Sequence, residues 1–316
     1  MRVTTKLLGF LVALLAVFGG AVGIGRAIGP VETAPAADHS DMGGETDMDM
    51  DGMDMGDSAT AIPKGLMVSK DGYTFRLARA TVSTGTAVPV SFTIEGPDGT
   101  PVTEYDVEHE KQLHLIAVRR DFSGFQHVHP EMAEGGTWTT SLELTAGQWR
   151  LFADFKAAGA EAITLGHDLA VRGTYQPASP AADSRTATVD GYTVALDGDL
   201  TAGKEAKLTL SVTRDGEPIT DLEPYLGAYG HLVVLRSGDL AYLHVHPEGT
   251  PADGKTDPGP DVVFYTEVPS PERYHLYLDF KHEDVVRTAA FTLTGSGSSG
   301  GSNADESDNG HSGDEH

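Results

Sequence analysis

Between residues 65 and 294 the chain alternates short apolar runs with turn signals, and no stretch sustains the i, i+3, i+4, i+7 stripe of a major helix. The runs are rich in Val, Thr, Leu, Phe and Tyr. Turn segments such as Pro97-Asp98-Gly99, Asp215-Gly216 and Ser237-Gly238 break them. β-branched and aromatic side chains suit a pleated, half-buried surface, and Asp-Gly or Ser-Gly pairs tolerate the backbone angles of tight turns. The pattern predicts strands throughout, dense enough for two-layer sandwiches.

The pattern also occurs twice. Asp71-Gly72-Tyr73-Thr74 returns as Asp190-Gly191-Tyr192-Thr193, and Asp154-Phe155-Lys156 returns as Asp279-Phe280-Lys281. A period above ~100 residues is too long for a solenoid unit and marks two whole domains. The expected architecture is all-β: two tandem immunoglobulin-like or cupredoxin-like sandwiches, 64–175 and 187–294, joined by a proline-containing linker over 176–186.

Outside the sandwiches the sequence is simple. Residues 1–29 hold an apolar stretch with Arg2 and Lys6 before it and Arg26 after it, a signal peptide or a membrane anchor of minimal spanning length. The positive-inside bias places the rest of the chain outside the cytoplasmic membrane, secreted or anchored to the envelope. The 30–63 segment and the acidic 295–316 tail are expected to be disordered, since neither can bury enough apolar surface to offset chain entropy. A formal charge of −25 argues against nucleic acid as a partner and against adsorption to an anionic membrane. The absence of cysteine excludes disulfides, thiolate zinc sites and a blue-copper thiolate.

The chemistry lies in the histidines. His127-Val128-His129-Pro130 recurs as His244-Val245-His246-Pro247, and each copy comes after another histidine, His114 or His231, at the same spacing of 13 positions. Side chains alternate along a strand, so the two histidines of each His-Val-His project to one face and can ligate one ion. A short turn would bring His114, or His231, beside them across a ladder. The expectation is a metal trio in each sandwich: His114, His127 and His129, and then His231, His244 and His246. A hydrogen-bonded histidine network is the alternative. Asp154 and Asp279, in otherwise aromatic strands, need partners. They are expected to ligate the metal or, preferably, to accept the second N–H of a ligating imidazole. His275 shares a strand face with Asp279, and Met132 lies just beyond the first His-Val-His; both are further candidates, and neither is repeated in the other copy.

The stretch from Asp38 to Asp57 holds five of the eight methionines, Met42, Met48, Met50, Met53 and Met55, with eight acidic side chains and His39. Thioether sulfur selects Cu(I), does not form disulfides, and so suits an oxidising compartment. The segment is expected to collect Cu(I), while the all-nitrogen sandwich sites favour Cu(II).

The run from Tyr225 through Gly230-His231-Leu232-Val233-Val234 to Leu243-His244-Val245-His246-Pro247 resembles bacterial envelope heavy-metal-associated proteins, described as FixH/YtkA-like. The likeness is closest across 220–281 and looser across 104–156. What the resemblance implies is copper handling at the outer face of the membrane. The partners would be the metal ion and other envelope copper-handling proteins, with the membrane reached only through an uncleaved leader. Two other classes remain. One is a redox enzyme, since Gly124-Phe125-Gln126-His127-Val128-His129 resembles a copper/zinc superoxide dismutase strand with Gln126 inserted, although that family's disulfide has no counterpart here. The other is a structural or adhesive sandwich pair without metal.

Overall fold

The computed structural model describes residues 62–297, which form strands and turns and contain no helix. The expected leader, the methionine-rich segment with His39, Met42, Met48, Met50, Met53 and Met55, and most of the acidic tail lie outside the described residues. The first sandwich contains β1 (Ser69–Lys70), β2 (Tyr73–Leu77), β3 (Thr81–Ser83), β4 (Gly85–Glu95), β5 (Leu113–Arg119), β6 (Gln126–Val128), β7 (Glu131–Ala133), β8 (Thr137–Leu144), β9 (Gly147–Phe155) and β10 (Ile163–Arg172). The second contains β11 (Thr186–Val189), β12 (Tyr192–Asp197), β13 (Glu205–Arg214), β14 (Glu217–Pro218), β15 (His231–Arg236), β16 (Tyr242–Leu243), β17 (Val245–Pro247), β18 (Asp261–Glu267), β19 (Arg273–His282) and β20 (Val285–Thr294).

Each copy is two facing sheets. In the first, β1-β2-β4-β8-β7 covers β3-β10-β9-β5-β6. In the second, β11-β12-β13-β18-β17, with β14 on β13, covers β16-β15-β19-β20. Alternation builds each core: Phe92, Ile94 and Trp138 meet Leu115, Leu151 and Leu165 in the first, and Leu208, Leu210 and Phe264 meet Val234, Leu276 and Phe291 in the second. Ordered pairing runs slightly past the expected start of the acidic tail, because Ser296 donates its N–H to Leu200 O at 2.9 Å.

A third apolar cluster is the unexpected feature. Ile116, Val118 and Phe152 of the first copy pack with Val233, Leu235, Leu240, Tyr242 and Tyr277 of the second. Every residue of β5 is buried: Leu113, Leu115 and Ala117 point into the first core, while Ile116 and Val118 point out of it and are covered by the second sandwich. The two tandem sandwiches are thus packed face against face. Aromatic pairs cross the contact in both directions, since Phe125 stacks on Tyr277 with ring centroids 3.9 Å apart and Tyr242 packs on Phe152 at 5.7 Å. Phe152 and Tyr277 are equivalent positions of the repeat, so this reciprocal pairing is the pattern of an isologous interface, here within one chain.

Candidate metal centre

The outward faces that form this contact also carry the histidines. His114 of β5 is paired with Asp154 of β9, and His231 of β15 with Asp279 of β19. Each aspartate accepts a hydroxyl hydrogen bond from the next strand, Thr164 to Asp154 at 2.6 Å and Thr288 to Asp279 at 2.5 Å. In the first copy β6 pairs with β5 so that His127 lies opposite Ile116. His127 therefore emerges on the outward face, towards the second sandwich.

Two overlapping groups result, sharing His127 and drawing on both copies. His114, His127 and His129 offer ligand atoms within 4.8 Å of one another, and so do His127, His231 and Asp279. The His127 ring lies 5.3 Å from His114, 5.0 Å from His129 and 4.7 Å from His231, centroid to centroid. Nε2 of His129 and Nδ1 of His231 are buried without a hydrogen-bond partner.

The hydrogen bonds fix the tautomers. His127 Nδ1 lies 2.8 Å from Asp279 Oδ2, and His114 Nε2 lies 3.1 Å from the Glu108 carbonyl oxygen. Both oxygens accept, so those nitrogens carry the protons. The remaining pair, His114 Nδ1 and His127 Nε2, face each other at 3.1 Å, each with a lone pair. Desolvation, then the neighbouring His114, pushes His127 down to about 3 from the usual 6.5. Desolvation, then His127 and His114, does the same to His129. Burial lowers His114 and, more strongly, His231. All four imidazoles are neutral at pH 7. Burial raises the Asp279 carboxyl to about 6, against the opposing Thr288 hydrogen bond, so at pH 7 it still accepts. Two facing lone pairs repel unless a cation lies between them. Two nitrogens bound to one tetrahedral ion at about 2.0–2.1 Å would be ~3.3 Å apart, so the observed 3.1 Å separation fits a shared ion.

The described residues do not group as one trio per sandwich. His231 joins the first copy's cluster, whereas His244 and His246 are exposed and outside it. The two His-Val-His strands also run differently. In the first copy the Gln126 side chain bonds Glu143 N and O, both at 2.8 Å, and the β5–β6 ladder runs on to Leu115–Val128. The equivalent Leu243 is instead buried in the second core, the β15–β16 ladder stops there, and β17 crosses to pair with β18 in the other sheet. His244 is left at the crossing, and His246 stacks on Tyr265 at the surface, centroids 5.6 Å apart.

The remaining candidates take other places. Asp279 occupies the position expected of a carboxylate that orients a ligand, but the imidazole it orients belongs to the other copy. Asp154 is bonded by Thr164 and lines a cavity that also contains His244. His275 stacks on Phe122 at 3.8 Å and lies 3.3 Å from the Thr292 hydroxyl, while Met132 packs on the first core; neither belongs to the cluster. Thr164, Thr288 and the Glu108 carbonyl were not anticipated. The threonines had a signal, since each sits one strand beyond its repeated aspartate in matching register.

No curated protein matches the chain. Among solved structures it is similar to the Escherichia coli adhesin FdeC, at 13% identity and TM-score 0.23, over 72% of this chain and 65% of that one. It is also similar to the Yersinia pseudotuberculosis adhesin InvE, at 11% and 0.21 over 71% and 59%, and to a putative membrane anchored protein from Corynebacterium diphtheriae, at 12% and 0.22 over 71% and 57%. The chain spans less than two thirds of each of these chains. The family described as a domain of unknown function, DUF8832, matches residues 68–173 and again 187–297. The chain belongs to the DUF8832 family and carries two copies of its domain, one per sandwich.

Proposed function

We propose that the protein is an extracytoplasmic copper-binding protein that buffers copper or hands it to another envelope protein. One arrangement carries this reading: the imidazole nitrogens His114 Nδ1 and His127 Nε2 face each other at 3.1 Å while the other nitrogen of each ring is taken by Glu108 or Asp279. His129 and His231 would complete the ligand set, their buried nitrogens otherwise unpartnered. A neutral nitrogen site of this kind fits the Irving–Williams preference for Cu(II) over Zn(II). When bound, the ion would neutralise the lone-pair repulsion and tie the two sandwiches together. The methionine-rich segment would supply separate Cu(I) sites, and the FixH/YtkA-like resemblance agrees with copper handling. The reading involves one shared ion per pair of sandwiches.

A second reading is a structural or adhesive sandwich pair. The hydrogen bonds from His114 to the Glu108 carbonyl and from His127 to Asp279 are what a buried network without metal would also contain. Metal analysis of full-length protein purified without added metal, followed by melting with and without Cu(II), separates the two. A ligand bound only by the native state adds about 2.7 kcal/mol at a hundredfold excess over Kd. The copper reading expects bound metal or ready uptake and a clear rise in Tm. A protein that takes up no metal and whose Tm ignores both copper and zinc belongs to the second reading.

A further inference from the structure

Beside the histidine cluster lies a cavity of about 100 Å³ whose charge is opposite to that of the chain as a whole. Three of the nine lysines, Lys64, Lys111 and Lys156, line it in a protein of formal charge −25. Its two carboxylates are engaged: Glu108 lies 3.7 Å from the Lys156 ammonium, and Asp154 accepts from Thr164 at 2.6 Å. Lys64 and Lys111 form no ion pair among the described residues.

The mouth is shaped by an unusual turn. Glu108 and Lys111 exchange two backbone hydrogen bonds, 2.9 and 3.1 Å, around His109 and Glu110, whose φ values are +48° and +65°. That geometry ordinarily takes Asn-Gly. Here it carries an imidazole, which sits 6.2 Å from both His114 and His231, centroid to centroid. At the inner end stands His231, whose buried Nδ1 has no partner.

We propose that this cavity binds a small oxyanion or carboxylate, held by the ammonium groups of Lys64 and Lys111 with His109 at its mouth. Each ammonium offers three donors, and the cavity has room for several waters or one small anion in their place. The site stands without a metal. Its coupling to copper rests on the function proposed above: a cation in the histidine cluster would raise anion affinity, and the anion would raise copper affinity by the same factor.

The test uses full-length metal-free protein titrated with sodium sulfate, and separately with sodium acetate, at constant ionic strength, monitored by amide NMR. The expected result is saturable shifts in residues Glu108 to Lys111 with at least one probe; which probe saturates distinguishes oxyanion from carboxylate. Lys111→Ala, an exposed position outside both cores, should weaken binding at least tenfold, and Lys64→Ala similarly. Lys204→Ala, exposed and remote from the cavity, should not change it. Shifts that fail to saturate with either probe, or that are unaffected by Lys64→Ala and Lys111→Ala, overturn the proposal. A copper titration of the same sample reads the metal centre independently, so failure of one leaves the other standing.

Discussion

For single residues the decisive feature is Asp279, which forces His127 to present Nε2 to His114. Asp279→Asn keeps the shape but removes the charge, and loss of such an orienting carboxylate typically costs 10–100-fold in metal affinity. Competition titration with a Cu(II) chelator should find that loss; an unchanged affinity would leave Asp279 a purely structural residue. The pH behaviour has its origin in the same burial. His127 and His129 drop to about 3 in the folded protein from 6.5, so between those values the unfolded chain binds more protons. Native stability is therefore lost as pH falls from about 6.5 towards 3. Asp279 acts in the opposite sense between 3.8 and about 6, where the folded state holds the extra proton, and offsets part of the loss. The metal-free protein should melt several degrees lower at pH 5 than at pH 7.5 by calorimetry. Copper should still bind at pH 5, where the folded imidazoles stay neutral, but more weakly than at pH 7.5, because Asp279 has by then taken up a proton and lost its charge. A free surface histidine, titrating near 6.5, would lose the metal instead.

Among the elements, the sandwiches were legible in the sequence and their contact was not. Alternation, turn pairs and the repeated Asp-Gly-Tyr-Thr and Asp-Phe-Lys segments specify strands and duplication directly. They also show that β5 and β15 are apolar on both faces, but not what covers the outward face. That cover is the other copy, which is why His231 sits with His127 rather than with His244. The different course of the second His-Val-His strand accompanies Gln126 against Leu243, a polar-to-apolar difference visible in the sequence whose consequence depends on the whole sheet. Leu235 is fully buried in the shared cluster and is not itself one of the proposed ligands. Leu235→Ala should cost ~2–5 kcal/mol, or about 5–15 °C in Tm for a protein of this size. It should also weaken Cu(II) binding, since the ligands come from both sides of the contact. Calorimetry and Cu(II) titration of the same variant check both; a destabilised variant with unchanged copper affinity would place the whole site within one sandwich.

For the molecule as a whole, two kinds of copper site are proposed on one chain, separated by ligand softness. Deleting residues 38–57 should remove Cu(I) capacity while leaving Cu(II) binding intact, measured with oxidation-state-specific chelators; undiminished Cu(I) capacity would reduce the segment to a spacer. The single centre shared between the sandwiches is the feature on which the rest depends, and Cu(II) titration of full-length protein read by electron paramagnetic resonance is its sharpest test. One nitrogen-ligated Cu(II) per chain is expected. That signal should be abolished by His127→Ala with His129→Ala, altered by His231→Ala on the other sandwich, and indifferent to His244→Ala with His246→Ala. Two equivalent Cu(II) sites, one of them lost with His244 and His246, would contradict it.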